Sequence, residues 1–306
     1  MNRTARPVVV HSDDQRKFLS GIPVDPTPRI YLEKGSSQLT MRAMDLITPI
    51  GMGQRALIVA PPGCGKTTLL KHLCQSVIVG YPDIKLYCLL IDERPEEVTD
   101  FKRSVTCDVR SSSTDKNYEH HIETADALMQ DVFRDAAQGK NVMVVIDSLT
   151  RLARVHNATR QSGRTMSGGV DARAMEVPRR IFGYARKIEG GGSITIVATI
   201  LVETNSRMDE VIFEEFKGTG NMELVLSRDI SQMRYYPAID IAKSSTRKAE
   251  LLLDKEEYPL NEQMRRILAG MNKVEAARML LEHLASTPSN KIFLLEFVKK
   301  FDKARI

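Results

Sequence analysis

No apolar run in the 306 residues approaches the roughly 20 that a membrane-spanning helix needs. The amino-terminal stretch also lacks the charged-then-apolar layout of a secretion signal. Cysteine is scarce. Cys64, Cys74, Cys88 and Cys107 form no Cys-x-x-Cys pair and have no histidine at metal-ligand spacing, so they read as reduced thiols rather than a disulfide framework or a zinc site. These absences predict a soluble, cytoplasmic protein. Tryptophan is missing too, which excludes nothing. The one adjacent histidine pair, His120-His121, suggests a metal site, but neighbouring helical residues point to different sides, so a solvated helix face is expected. No internal repeat or low-complexity tract occurs.

What is present is a globular composition, 42% hydrophobic with a net charge of +5. A chain of this size holds one large α/β core or two smaller domains. The mild basic excess allows nucleic-acid binding without requiring it. Residues 1–40 form an N-terminal extension or linker, punctuated by Pro23, Pro26 and Pro28 and ended by Gly35-Ser36-Ser37, and read as loosely folded. Residues 41–259 alternate strand and helix patterns. Apolar strands are predicted at 56–60, 85–91, 142–146 and 193–199, and helices at 40–47, 67–79 and 119–138. Strands so uniformly apolar are buried on both faces, as in a parallel sheet flanked by helices. Residues 260–306 lose the strand signal and read as two or three amphipathic helices.

The densest chemistry lies at Ala60-Pro61-Pro62-Gly63-Cys64-Gly65-Lys66-Thr67, between an apolar strand and a helix. A glycine-rich turn there aims backbone N–H groups at one point, and the helix start adds its positive dipole end. Lys66 would neutralise the β- and γ-phosphates of a triphosphate, and the Thr67 hydroxyl would ligate Mg²⁺. The strict motif begins with Gly, whereas this chain has Ala60. Asp147 ends the apolar run 142–146, the usual place for a carboxylate that serves the magnesium ion. A second apolar run ends at Asp92-Glu93-Arg94, and Glu93 is the candidate to orient or deprotonate an attacking water. Asp92 and Arg94 would position Glu93 or bridge to a neighbour.

Two glycine- and arginine-containing segments, 161–171 and 203–209, lack an apolar pattern. Their composition suits backbone contact with a phosphodiester strand, and suits solvated surface loops at least as well. Further on, Arg234-Tyr235-Tyr236-Pro237 and Ser244-Ser245-Thr246-Arg247-Lys248 offer a tyrosine able to stack on adenine and an arginine able to complete a neighbouring subunit's site. Spacing alone decides neither role.

Taken together, the runs at 49–55, 60–67, 89–98, 147–154, 168–172 and 208–224, with Tyr236-Pro237-Ala238-Ile239-Asp240 and Ser245-Thr246-Arg247-Lys248, resemble the motor portion of the Rho family of bacterial transcription termination factors. These are ring-shaped RNA-dependent ATPases. The resemblance covers the chain from about residue 40 onward. It implies an α/β fold: a RecA-like P-loop NTPase core with a mainly parallel sheet flanked by helices, plus a C-terminal helical segment at 260–306. It implies ATP and Mg²⁺ as ligands, with Gly63, Cys64, Gly65, Lys66, Thr67, Thr68 and Arg94 around the nucleotide and Tyr236 on the adenine. Thr67 and Asp147 would serve the metal. Lys66, Glu93, Asp147 and Arg247 would be catalytic, and Lys217, Arg234 and Arg247 would reach across a subunit boundary. Arg164, Thr165, Ser167, Gly168 and Gly169 would form one RNA-contacting loop, and Arg207 would belong to a second. Arg164 and Arg207 replace the family's usual lysines, and Gly63 replaces a basic residue. A hexameric ring, RNA and RNA polymerase are the implied partners. About 40 residues precede the core, too few for the family's RNA-capturing OB-fold.

Two rival functions stay in view. One is a rotary or secretion-type ring ATPase subunit that turns a protein stalk, which the loop sequences oppose. The other is a non-hydrolysing RNA-binding regulator of Rho, which the intact Lys66, Glu93, Asp147 and Arg247 oppose.

Overall fold

The aliphatic runs at 57–60, 86–91, 142–146 and 194–200 are buried along their whole length, and they form the middle of one sheet. The computed structural model describes residues 12–159, 165, 167–171 and 173–303. Its elements begin with α1 (Asp13–Leu19), β1 (Pro23–Val24), β2 (Arg29–Ile30), α2 (Leu39–Ile47), β3 (Ile50–Gly51), β4 (Arg55–Ala60) and α3 (Lys66–Gly80). They continue through β5 (Lys85–Glu93), α4 (Pro95–Ser104), β6 (Asp108–Ser113), α5 (Tyr118–Ala137), β7 (Asn141–Asp147), α6 (Leu149–Thr159), α7 (Glu176–Gly183), β8 (Arg186–Ile188) and β9 (Ser193–Leu201). The last are α8 (Arg207–Phe216), β10 (Met222–Val225), α9 (Arg228–Gln232), β11 (Ser245–Thr246), α10 (Glu257–Ala269), α11 (Lys273–Ala285) and α12 (Asn290–Lys303).

The sheet runs β11-β10-β4-β9-β7-β5-β6. From β10 to β6 every neighbouring pair is parallel. β11 on β10, and β8 on β9, are antiparallel additions. Parallel strands need helical crossovers, which cover both faces. One face buries Leu70, Leu73 and Val77 of α3 with Met41 and Met44 of α2. It also takes in Met264 of α10, Leu280 of α11 and Phe293 and Phe297 of α12. The three C-terminal helices therefore share the core of the sheet. The opposite face packs Leu128 and Val132 of α5, Leu152 of α6, Ile181 of α7 and Ile212 of α8.

From residue 12 onward the N-terminal extension is more firmly held than expected. Phe18 of α1 packs on Phe133 with ring centroids 6.1 Å apart, and Ile30 and Leu32 are fully buried. The Asp45 carboxylate accepts the backbone N–H groups of Leu32 at 3.0 Å and Glu33 at 2.7 Å. Prolines break regular structure here, but these few anchors tie the segment down. His121 is likewise buried rather than solvated. Its ring and that of His120 both meet the Ser112 hydroxyl, at 2.7 Å and 2.6 Å.

Candidate nucleotide site

The phosphate-loop motif lies between β4 and α3, and the functional side chains gather at the carboxyl ends of the parallel strands. That is where open α/β sheets place their ligands. The loop closes on Gly65, the N-cap of α3, at φ +83°. A Cβ there would meet the Tyr236 ring at 3.3 Å, so glycine serves both the backbone turn and the approach of the aromatic ring. Lys66 begins α3. Its Nζ is hydrogen-bonded to Asp147 Oδ1 and lies 3.4 Å from Glu93 Oε1. Asp147 ends β7 and Glu93 ends β5, so three separate elements converge on one ammonium group. Thr199 on β9, between β4 and β7 in the sheet, donates to Asp147 Oδ1 at 2.7 Å.

Both acids are buried, Glu93 at 3% and Asp147 at 1% exposure. Burial pushes the Glu93 carboxyl up to about 7, helped by nearby Asp147 and opposed by Lys66 and Arg151. Burial acts downward on Lys66, but Asp147 and Glu93 outweigh it and hold the ammonium above its ordinary value. Glu93 Oε2 is buried without a hydrogen bond among the described residues.

Two participants carry no role in the sequence reading. Arg151, on α6, sits 3.2 Å from Glu93 Oε2 and donates to the Asp92 carbonyl. Its signal was an arginine four residues past the strand-end Asp147, on the helix that follows. Thr199, inside an apolar strand, gave no signal.

Tyr236 is half exposed and lies over the loop. It lines a cavity of about 380 Å³ with Thr40, Gly63, Gly65, Thr68 and Pro237. Its hydroxyl donates to the Ser231 carbonyl at 3.3 Å. Cys64 is buried, its sulfur 3.5 Å from the Ser231 hydroxyl. Arg94 caps α4 with its side chain exposed, 4.0 Å from Glu97.

Arg247 lies just past the edge strand β11 and donates to the Gly218 carbonyl at 3.0 Å. Lys217 pairs with Glu214 at 3.2 Å. Arg234 is exposed and lines a shallow hollow with Gly63 and Arg228. Within one chain, no hydrogen bond or ion pair among the described residues joins Arg247, Lys217 or Arg234 to Lys66, Glu93 or Asp147.

The two glycine- and arginine-containing segments meet each other. Thr165 pairs with Asp171 in an antiparallel bridge. Asn157 on α6 donates to the Gly169 carbonyl at 3.1 Å and accepts the Asp171 N–H at 2.6 Å. Gly168, at φ +72°, comes so close to the second segment that a Cβ would lie 2.7 Å from the Arg207 carbonyl oxygen. The second segment is less loop-like than expected, because Ser206 caps α8 and Arg207 opens its first turn. Buried Asp209 anchors that turn by accepting from Arg154 at 2.8 Å and Thr204 at 2.6 Å. Thr165, Ser167, Gly169 and Arg207 face solvent. Arg164 lies outside the described residues.

Residues 40–246 match the nucleotide-binding domain of the ATP synthase alpha/beta family. This defines the class: a phosphate-loop ATPase domain on a RecA-like α/β fold. Curated relatives narrow it. The chain is 47% identical over 286 residues to transcription termination factor Rho of Rhodopirellula baltica, covering 92% of this chain and 56% of the relative. It is 48% identical over 291 residues to transcription termination factor Rho 1 of Ehrlichia chaffeensis, covering 93% of this chain and 68% of that protein. The chain belongs to the transcription termination factor Rho family. It spans roughly half to two thirds of the length of these relatives.

Among solved structures, an ATPase from the type III secretion system of pathogenic bacteria shares the fold at TM-score 0.76 and 22% identity, covering 90% of this chain and 86% of that one. The secretion ATPase EscN in complex with its central stalk EscO superposes at TM-score 0.68 with 27% identity, covering 83% and 61%.

Proposed function

We propose that this chain is the motor of an RNA translocase acting in transcription termination. Residues 41–259 act as the ATPase core, with 260–306 as a helical segment braced on it. The carrying observation is the convergence of Lys66, Glu93, Asp147 and Arg151 at the strand ends, beside two segments that touch each other at Gly168 and Arg207. The Rho names of its relatives at 47–48% identity favour RNA over a protein stalk.

In this reading the loop N–H groups from Gly63 to Thr68 and the Lys66 ammonium hold the triphosphate, and Tyr236 stacks on the base. Glu93 orients the water and takes its proton. Arg151 fixes the Glu93 carboxylate in place. The hard oxygens of Thr67, beside the loop, and of buried Asp147, at the end of β7, suit a magnesium ion. When bound, that ion neutralises phosphate charge. Arg247 is exposed and makes its hydrogen bond to the Gly218 carbonyl rather than to the cluster of its own chain, which suits action on the next subunit of a six-membered ring, with Lys217 and Arg234 at the same boundary. Thr165, Ser167, Gly168, Gly169 and Arg207, together with Arg164, grip RNA in the channel. Because α6 starts two residues after Asp147 and holds the first loop through Asn157, nucleotide-driven movement at Asp147 reaches the RNA grip. RNA polymerase is the further partner a termination role brings, and the cytoplasm the compartment.

The test is Arg207→Ala, with ATP turnover measured with and without polycytidylate. Loss of RNA stimulation with basal turnover retained is the expected result. Stimulation at full strength would remove the channel assignment.

A further inference from the structure

Away from the nucleotide, three thiols from three different elements meet under the sheet. Cys74 on α3 lies 3.5 Å, sulfur to sulfur, from Cys88 on β5. Cys88 in turn lies 3.5 Å from Cys107, in the bend just before β6. Cys74 and Cys88 are fully buried, while Cys107 is partly open to solvent. No group of three or more His, Cys, Asp and Glu side chains among the described residues has metal-holding geometry, so the cluster is read through thiol chemistry. We propose that Cys107 is a peroxide-sensitive modification site and that Cys88 resolves it into a disulfide.

Geometry supports each role. Of the three residues only Cys107 is partly exposed, and Cys88 is its near neighbour. The strand pairing of β5 with β6 starts only at Tyr87 and Asp108, so Cys107 is outside the ladder. It can move the ~1.5 Å that separates the present spacing from the ~2.05 Å of a disulfide bond. Electrostatics agree. Hydrogen bonds from Cys74 and Cys88 hold the Cys107 thiol well below the usual thiol range, whereas Cys74 and Cys88 are held above it. One thiolate beside a protonated partner is the arrangement oxidation needs, since the thiolate is the nucleophile.

The chemistry balances with hydrogen peroxide as oxidant. The Cys107 thiolate attacks one peroxide oxygen. The O–O bond breaks, an S–O bond forms, and the departing hydroxide takes a proton to become water. Cys88 sulfur then attacks the sulfenic sulfur of Cys107. The S–S bond forms, the S–O bond breaks, and the hydroxyl leaves as water with the Cys88 proton. Two electrons pass to peroxide and two thiols become one disulfide. A thiol reductant reverses the change by exchange.

The test uses the full chain, freed of reductant and treated with one equivalent of hydrogen peroxide, then alkylated and mapped by peptide mass spectrometry. The expected product is a Cys88–Cys107 bridge, with Cys64 still a thiol. In Cys88→Ser, dimedone should trap a sulfenic acid on Cys107, and in Cys107→Ser the bridge should not form. Equal oxidation of Cys64, a bridge that omits Cys107, or four intact thiols would each overturn the proposal. Independently of any variant, native alkylation of Cys107 by iodoacetamide should stay fast from pH 8 down to pH 6. A tenfold fall per pH unit would show a thiol, not a thiolate, and would contradict the assignment.

Discussion

Glu93 carries a pH signature that can be tested directly. Its carboxyl is pushed from an ordinary 4.5 to about 7 by burial. A base must be ionised to work, so its working fraction rises from about one tenth at pH 6 to about nine tenths at pH 8. ATP itself titrates in this range, so wild type alone is ambiguous. Glu93→Gln keeps the shape of the side chain, cannot take a proton, and shares every substrate effect. The variant should lose about 10²- to 10⁴-fold in kcat/KM, the usual worth of a positioned base. The ratio of wild-type to variant kcat/KM should then climb about tenfold between pH 6 and pH 8. The assay is phosphate release at saturating RNA and sub-saturating ATP, which reports the free enzyme. A ratio that stays flat across this range would refute Glu93 as the titrating base, and near-wild-type turnover in the variant would refute any catalytic role for it.

Removing Arg151 takes away a charge that lowers the Glu93 pKa, so Arg151→Ala should move the acid limb of the same profile to higher pH; a shift to lower pH would contradict the pairing. Stability follows the same carboxyl. Its folded pKa lies above its unfolded value, so the wild type loses stability as pH rises from about 4.5 to about 7, by at most ~3 kcal/mol. Glu93→Gln should therefore raise the melting temperature at pH 8 and leave it unchanged at pH 4.5. Tyr236→Ala should raise the KM for ATP about 5- to 100-fold through lost base stacking, with Tyr236→Phe close to wild type. Arg154→Ala strips a partner from buried Asp209 and should cost about 2 kcal/mol in thermal unfolding. Phe297→Ala, in the C-terminal segment, should cost about 3–5 kcal/mol within a single unfolding transition. Two separate transitions would show that α10 to α12 fold apart from the sheet.

Much of this architecture was legible from hydrophobic patterning, because β4, β5, β7 and β9 are buried on both faces and read as unbroken apolar runs. β6 escaped notice for the opposite reason. Asp108–Ser113 is a polar edge strand, only partly buried, and its ladder comes from β5 rather than from its own side chains. β10 is four residues long and half buried, too short to show a period. The order of the N-terminal extension depends on Asp45, Phe133 and other distant partners, which no local pattern reveals. At the site, the phosphate loop and both strand-end acids were readable as motifs. Arg151 and Thr199 were not, since their importance comes from adjacency of α6 and β9 to Glu93 and Asp147 in the fold. The meeting of Gly168 with Arg207 has the same origin.

Subunit mixing tests the central claim most directly. Lys66→Ala removes the phosphate-loop cation and Arg247→Ala removes the arginine assigned to the neighbouring site. Each variant alone should be inactive. When the two are unfolded from their rings, mixed in equal amounts and reassembled, about a quarter of interfaces should pair an intact phosphate loop with an intact Arg247 from the next protomer. RNA-stimulated ATP turnover should reappear in the mixture. If the mixture stays as inactive as its parents while wild-type protein survives the same treatment, each chain works alone and the shared centre does not exist.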